Sequence, residues 1–315
     1  MPRFDITIAG ELNLDLILYG LPQELPPERE SLAERMMLTL GSSSAIVAHN
    51  LAALGTRVGF ISRIGDDLLG QMAVERIEDA QVDVSKLHRS AGAATGLTVI
   101  LQKESGRQII TYLGTIAELI FDDLDLEYLV DARHFHFSSY YLQRGLRPRV
   151  ADLFRELKHA GLTISLDTND DPDDSWDGSL EQVLPYVDVF LPNAREARKI
   201  ARVDDLEAAV RHLSKSVPVL VVKLGAKGAL AQRGNERLTS PPVAVHAIDP
   251  VGAGDSFNAG FLAQYVRGAD LGTCLVSGNY AGAFSTTRAG GTEAFRDREY
   301  VTKFFPSTLT APAWK

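Results

Sequence analysis

The chain has 315 residues, 45% of them hydrophobic and 23% charged, enough for one large α/β domain or a core domain with a small second one. A formal net charge of -9 argues against nucleic acid or an anionic lipid surface as the main partner, since phosphate-rich partners reward basic surfaces. One cysteine, Cys274, excludes an intramolecular disulfide and fits a reducing compartment.

The first residues, MPRFDITIAGELNLDLI, hold no basic region followed by a long apolar core, so they do not read as a signal peptide. No apolar run approaches the roughly 18 residues of a membrane span. A cytoplasmic location is the expectation. FDITIAG (4–10) reads as a buried first strand. GELNLDLILYG (10–20) follows with partial alternation, its acids Glu11 and Asp15 just past that strand end. LGSSSAIVAHNLAALG (40–55) opens with serines able to cap a helix and closes with Gly55 at the expected C′ position. RVGFISRIG (57–65) is strand-like, and DDLLGQMAVERIEDAQ (66–81) has helical spacing.

TGLTVILQ (95–102) and RQIITYL (107–113) are rich in β-branched residues and flank KESG (103–106), which predicts a hairpin in a small sheet outside the main one. Strand patterns then alternate with helical ones. HFHFSS (134–139), TISLDTN (163–169), VDVFLPN (187–193) and PVLVVKLG (218–225) read as strands; 149–161 and 206–215 read as helices. Such alternation implies a mostly parallel sheet covered on both faces. The segments 254–268 and 270–288 read as two closing helices, and Cys274 within the second is expected to be plain packing.

The stretch DPVGAGDSFNAGF (249–261) carries the chemistry. A helix start exposes unpaired N–H groups and a partial positive charge, and glycines before it let a ligand approach the backbone. Gly252, Ala253 and Gly254 thus read as an anion cradle beside the carboxylate of Asp255. Phosphoryl transfer needs that pairing of donors and base. The plainer alternative is that Asp255 caps a helix after a turn. No Gly-Lys-Ser/Thr follows, so the stretch is not a Walker A loop, and without a third glycine it is not a dinucleotide fingerprint.

The whole stretch resembles the C-terminal signature of the PfkB/ribokinase family of carbohydrate kinases, close to D-x-x-G-A-G-D-x-F, and other motifs of the family follow in order over nearly the full length. GELNLD (10–15) is similar to the segment with a substrate-binding aspartate, here Asp15. LGSSSAIVAHNLAALG resembles the first glycine-rich signature, SRIGDDLLG (62–70) the G-x-D-x-x-G segment, LPNAREA (191–197) the N-x-x-E motif with Asn193 and Glu196, and VKLGAKGA (222–229) the nucleotide-side loop.

The resemblance implies a ribokinase-like α/β fold. A central, mostly parallel sheet is flanked by helices, and a small β-sheet lid comes from approximately 11–20, 32–40 and 95–113 within one domain spanning 1–315. It implies Asp255 as catalytic base and an anion hole at Ala253, Gly254 and Asp255. It places Asn193 and Glu196 at Mg²⁺ through water, although NARE alone is equally a helix cap with a capping-box glutamate. Gly225 and Gly228 fall on the nucleotide side, where a hairpin turn is compatible with that role. Lys223 is either at a phosphate or in solvent. Asn279 is either near the adenine or a packing residue. Asp249 occupies a position that holds K⁺ in relatives with a monovalent cation, and whether it does so here is open.

On the acceptor side stand Asp15, Gly41, Ser43 and Ser44. Asp167 and Asn169 open the polar loop 166–178 and either face the acceptor or fix the turn. The acids from Asp170 to Asp177 read as a solvated loop rather than a metal site. His134 and His136 share a strand face and read as structural. The chain departs from the family pattern where Ile46 and Ile116 stand at positions often held by asparagine, which suggests a less polar acceptor pocket. The expected function is ATP-dependent phosphorylation of a primary hydroxyl of a small sugar or sugar acid, in a homodimer formed through the lid. A nucleoside kinase on the same fold is the alternative, and a sugar-binding regulator without turnover is a further one.

Overall fold

The computed structural model describes residues 1–104 and 106–309. Ser105, in the expected hairpin turn, lies outside the described residues. The chain opens with β1 (Ile6–Ala9), β2 (Leu14–Tyr19), β3 (Arg35–Leu40) and α1 (Ser43–Ala53). Then come β4 (Val58–Ile61), β5 (Arg63–Gly65), α2 (Leu68–Asp79), β6 (His88–Ser90), β7 (Leu97–Lys103) and β8 (Gly106–Tyr112). The middle holds α3 (Leu126–Val130), β9 (His134–Phe137), α4 (Val150–His159), β10 (Thr163–Leu166), β11 (Val189–Phe190), α5 (Ala194–Ala201) and α6 (Leu206–Leu213). It closes with β12 (Val219–Lys223), β13 (Ala229–Arg233), β14 (Glu236–Ser240), α7 (Ala253–Tyr265), α8 (Leu271–Ser285) and α9 (Arg298–Phe304).

Among the described residues the main sheet has eight strands in the order β14-β13-β12-β11-β10-β9-β1-β4. It is parallel from β12 to β4, and only the β12–β13 and β13–β14 pairs are antiparallel. Alternation along the strands feeds two cores. Ile6, Ile8, Val219 and Val221 pack toward α1, α7 and α8, while Leu220, Val222, Ile164 and Leu166 pack with Phe154 of α4 and Ala209 of α6. A sheet covered on both faces explains why these strands read as continuous apolar runs.

On β9, Phe135 and Phe137 pack on Phe154. The buried His134 and His136 share Ser165 Oγ at 2.7 Å each, and Thr163 and Ser138 take their other nitrogens. Burial pulls both imidazoles down to about 3, so they are neutral structural groups. Cys274 is buried, and burial pushes its thiol up to about 12, far from a reactive thiolate.

A second sheet has the order β3-β2-β7-β8. It uses segments 14–19, 35–40, 97–103 and 106–112, the last two being the expected hairpin. Its inner face carries Asp15 beside Thr39 and Thr98, with Thr98 beside Thr111. Its outer face carries an apolar row, Leu38–Leu16–Val99–Ile110, and a second, Met36–Leu18–Leu101.

Two local expectations change. RVGFISRIG is two strands, because β5 leaves the main sheet to pair with β6. The serine before α1 does not cap it: Ser42 adopts φ 56° and its hydroxyl donates to the Glu11 carbonyl at 2.9 Å.

Candidate active site

The cleft lies at the carboxyl ends of the parallel strands, where open α/β sheets place ligands. Its central feature is the start of α7. Gly252 takes the left-handed φ of 70°, and a Cβ there would meet Gly291 Cα at 2.5 Å, so only glycine fits. The helix has no side-chain cap. The Ala253 N–H reaches the Pro250 carbonyl at 3.3 Å, whereas those of Gly254 and Asp255 have no acceptor among the described residues. This is an exposed set of donors with a partial positive charge.

Asp255 sits in that first turn, only 8% exposed. Asn169 Nδ2 donates to its Oδ1 at 3.3 Å, and Ser43 also bonds its carboxylate. Asn169 is itself fixed by the Ser139 N–H at 2.9 Å. Burial, then the negative charge of Asp167, raise the Asp255 pKa, while Lys223 and the two hydrogen bonds oppose the shift. Asp15 faces Asp255 from the second sheet. Burial pushes its pKa up to about 7, helped by Asp255 and Asp249 and opposed by Arg107. Gly41 makes room for it: a Cβ at 41 would lie 2.0 Å from Asp15 Oδ1.

Behind these acids lies a buried ion pair. Lys223 Nζ pairs with Asp167, which is fully buried and also accepts from Asn258 Nδ2 at 2.6 Å. Burial works against the ammonium, but Asp167 and Glu196 outweigh it and hold the Lys223 pKa above its usual value. Lys223 is therefore not in solvent: it is anchored on Asp167, with Nζ close to the start of α7. Asn193 and Glu196 make a full capping box on α5. Asn193 Oδ1 accepts from the Arg195 and Glu196 N–H groups at 2.9 and 3.0 Å, and Glu196 Oε2 accepts the Asn193 N–H at 2.8 Å. Burial, then Asp167, push the Glu196 pKa up.

Other expected residues fall around this centre. Ser44 turns inward, its hydroxyl on Glu11 at 2.7 Å. Gly225 and Gly228 take positive φ at the β12–β13 turn, and a Cβ on Gly228 would strike the Ser240 carbonyl. Asn279 donates to the Ser240 and Pro241 carbonyls at 3.1 and 2.9 Å, pinning the neighbouring loop. The acidic loop is tied down by bases: Arg195 pairs with Asp170, Lys199 with Asp174 and Arg147 with Asp177.

Ile46 lies inside the fold beside the start of α7. It is 2% exposed and packs on Gly252 and Gly291. Ile116 is also buried, against Gly96. In this structure both side chains make packing contacts.

Sequence reasoning missed Asn258 and Tyr19. Asn258 stands three residues after Asp255 on the same helix face, a polar residue in an apolar run. Tyr19 stands four residues after Asp15 on one strand face. Its hydroxyl donates to Asp249 Oδ2 at 2.6 Å, tying the second sheet to the loop before α7. The Val251 and Gly290 N–H groups donate to the same carboxylate at 2.9 and 3.0 Å.

The fold and cleft together define an α/β fold with an uncapped helix start at the carboxyl ends of the parallel strands and a separate small β-sheet. The chain belongs to the pfkB family of carbohydrate kinases, whose description matches residues 3–298. It is similar to a sugar kinase of Archaeoglobus fulgidus, with 26% identity over 248 residues, 77% of this chain and 96% of that protein. It is also similar to a nucleoside kinase of Methanothermobacter thermautotrophicus, 27% over 284 residues, 90% of this chain and 88% of that protein. Among solved structures, a ribokinase II of E. coli in complex with ATP and Mg²⁺ superposes with a TM-score of 0.82 at 23% identity, covering 96% and 98% of the two chains. The chain is thus a kinase with the ribokinase-like fold.

Proposed function

We propose that this kinase transfers the γ-phosphoryl group of ATP to a primary hydroxyl of a small sugar or sugar acid. The observation that carries the reading is the bare start of α7, with Asp255 beside two unpaired N–H groups. Asp255 takes the hydroxyl proton as that oxygen bonds to the γ-phosphorus, and the bond to the β-bridging oxygen breaks toward ADP. The Gly254 and Asp255 N–H groups, with Ala253 in the same turn, receive the shifting negative charge. Asn169 and Ser43 aim the Asp255 carboxylate. Asp15, in the gap left by Gly41, accepts hydrogen bonds from the acceptor's hydroxyls.

Asn193 and Glu196 fit a role in holding Mg²⁺ through water. They are hard oxygen donors, the Glu196 carboxylate has lone pairs beyond its two capping bonds, and Mg²⁺ keeps much of its water shell. Bound there with the nucleotide, the ion would neutralise phosphate charge. Asp249 accepts from Tyr19, Val251 and Gly290, and no step is assigned to K⁺. Gly225, Gly228 and Asn279 shape the nucleotide side, and the Lys223–Asp167 pair fixes the floor between the two halves.

The second sheet acts as a lid that excludes water, a competing phosphoryl acceptor. Its outer apolar rows, with exposed Met36 and Ile110, support pairing with a second copy. Ile46 and Ile116 make packing contacts here, and the choice between a sugar and a nucleoside falls to the acceptor itself. Turnover with ATP and Mg²⁺ across sugars, sugar acids and nucleosides tests the reading. Phosphorylation of a sugar or sugar acid supports it; exclusive turnover of nucleosides, or none at all, would overturn it.

A further inference from the structure

A cavity of about 740 Å³ lies between the second half of α1, the end of α2 and the start of α9, and no cleft residue described above lines it. Its deepest polar group is His49, 3% exposed. His49 Nδ1 lies 2.8 Å from Asn50 Oδ1. Asn50 Nδ2 gives its hydrogens to Ser256 Oγ at 2.9 Å and the Gly291 carbonyl at 3.1 Å. The amide nitrogen is thereby fixed, so Oδ1 must accept and His49 Nδ1 must carry the proton. Burial lowers the His49 pKa to about 4, so the ring is neutral at physiological pH. Nε2 is then a bare acceptor, and no described residue donates to it.

The walls carry both signs, Arg296 and Arg298 against Asp79 and Glu299. Arg296 is ion-paired with Asp79 at 3.6 Å and with Glu293 at 3.9 Å. Arg298 has no ion pair among the described residues. Glu299, also at the rim, is already held by Lys303 at 2.7 Å. Phe295 supplies an apolar surface. The cavity therefore offers an inner acceptor for a hydroxyl and, at Arg298, an outer guanidinium for an anion, the pattern that matches a hydroxylated phosphate.

The same hydrogen bonds lead to the cleft. Ser256 adjoins Asp255, and Gly291 is the backbone on which Gly252 and Ile46 pack. A ligand donating to His49 polarises the His49–Asn50 pair, and Asn50 holds both Ser256 and Gly291.

We propose that this cavity binds a small sugar or polyol phosphate, and that its occupancy shifts the catalytic loop through Asn50. The site lies outside the proposed reaction, so binding can be tested without turnover. Glycerol 3-phosphate is the probe, with glycerol and inorganic phosphate as reference arms, measured by titration calorimetry. The wild type should bind glycerol 3-phosphate more tightly than either reference compound. Arg298→Glu, at an exposed position expected to fold, should weaken binding by about 10-fold or more, the scale of a lost charge-assisted contact. Ala53→Trp, which fills the cavity independently, should abolish it. Asp15→Ala, in the cleft, should leave it intact, separating this site from product binding in the cleft. In the wild type the probe should change the acceptor KM by roughly 5-fold or more, an ordinary coupling magnitude, and in Arg298→Glu it should not. The proposal is overturned by no wild-type binding, by equal binding of inorganic phosphate, by binding unaffected in both cavity variants, by loss in Asp15→Ala alone, or by binding without any change in acceptor kinetics.

Discussion

Two helix starts send an acid toward Lys223, and they differ in how their N–H groups are used. At α5, Asn193 and Glu196 close a complete capping box. At α7, Gly252 enters in the left-handed region with no side-chain cap, and two N–H groups stay open. Both carry a buried acid in the first turn, and burial raises the pKa of each. In the proposed mechanism the difference assigns which end takes charge during the reaction. A capped end has spent its donors and can organise a cation through its carboxylate. An uncapped, glycine-led end still has donors for an anion.

The comparison can be broken in four ways. The largest effect is expected at the bare end. Asp255→Asn keeps the fold and ATP affinity but lowers kcat by at least ~10²-fold, the scale of a lost general base; unchanged kcat removes Asp255 from the mechanism. Next, Gly252→Ala forces a Cβ against Gly291 and into a left-handed φ. It should cost about 1–2 kcal/mol of stability, measured by denaturant unfolding. It should also lower kcat by roughly 10-fold as the donors tilt. A kcat equal to wild type would show that the turn geometry is irrelevant to catalysis.

At the capped end the effect is smaller. Glu196→Gln should raise the Mg²⁺ concentration needed for half-maximal rate while the rate at saturating Mg²⁺ falls less than in Asp255→Asn. Superimposable Mg²⁺ titrations would mean the box only caps.

The smallest effect is a pH dependence at Asp15. Its pKa of about 7 in the folded enzyme stands above the ordinary carboxylate value of about 4. Stability from the neutral carboxyl is therefore fully present below about pH 4 and is lost as pH rises through about 7. Acceptor binding runs the other way, because the ionised form is the better acceptor. Acceptor kcat/KM should rise a few-fold between about pH 6 and 8, with an apparent pKa shared with Asp255. Asp15→Asn should flatten both trends, read from thermal unfolding and initial rates. A wild-type profile flat across that range contradicts the assignment.

Much of this was legible in the sequence, for physical reasons. Alternating strand and helix periods set the sheet, and GAGD before an apolar run set the bare helix start. The hairpin 95–113 stood out because β-branched runs flanked a turn. What stayed hidden depends on contacts far apart in the chain. Lys223 and Asp167 are 56 residues apart, and no local period links them. The motif around Ile46 does not show that α1 sets this side chain on Gly252 and Ser43 on the Asp255 carboxylate. Ser42 resembled a cap by residue type, yet its positive φ sends the hydroxyl to Glu11. Tyr19 shared a strand face with Asp15, but its partner Asp249 lies 230 residues on.

The central claim is that the open N–H groups of α7 hold the transferring phosphoryl group. A proline at 254 deletes one of those donors at a first-turn position that tolerates proline, while Gly254→Ala adds a methyl and keeps the donor. There is room for it, since a Cβ at 254 meets nothing nearer than Lys223 Nζ at 3.7 Å. The most direct measurement is the affinity of ADP with Mg²⁺ and aluminium fluoride, a mimic of the transferring phosphoryl group, set against that of ADP alone. Gly254→Pro should lose about 10²-fold of the extra affinity for the mimic, with ADP binding nearly unchanged, and Gly254→Ala should retain it. Equal mimic affinity in the two variants would contradict the account.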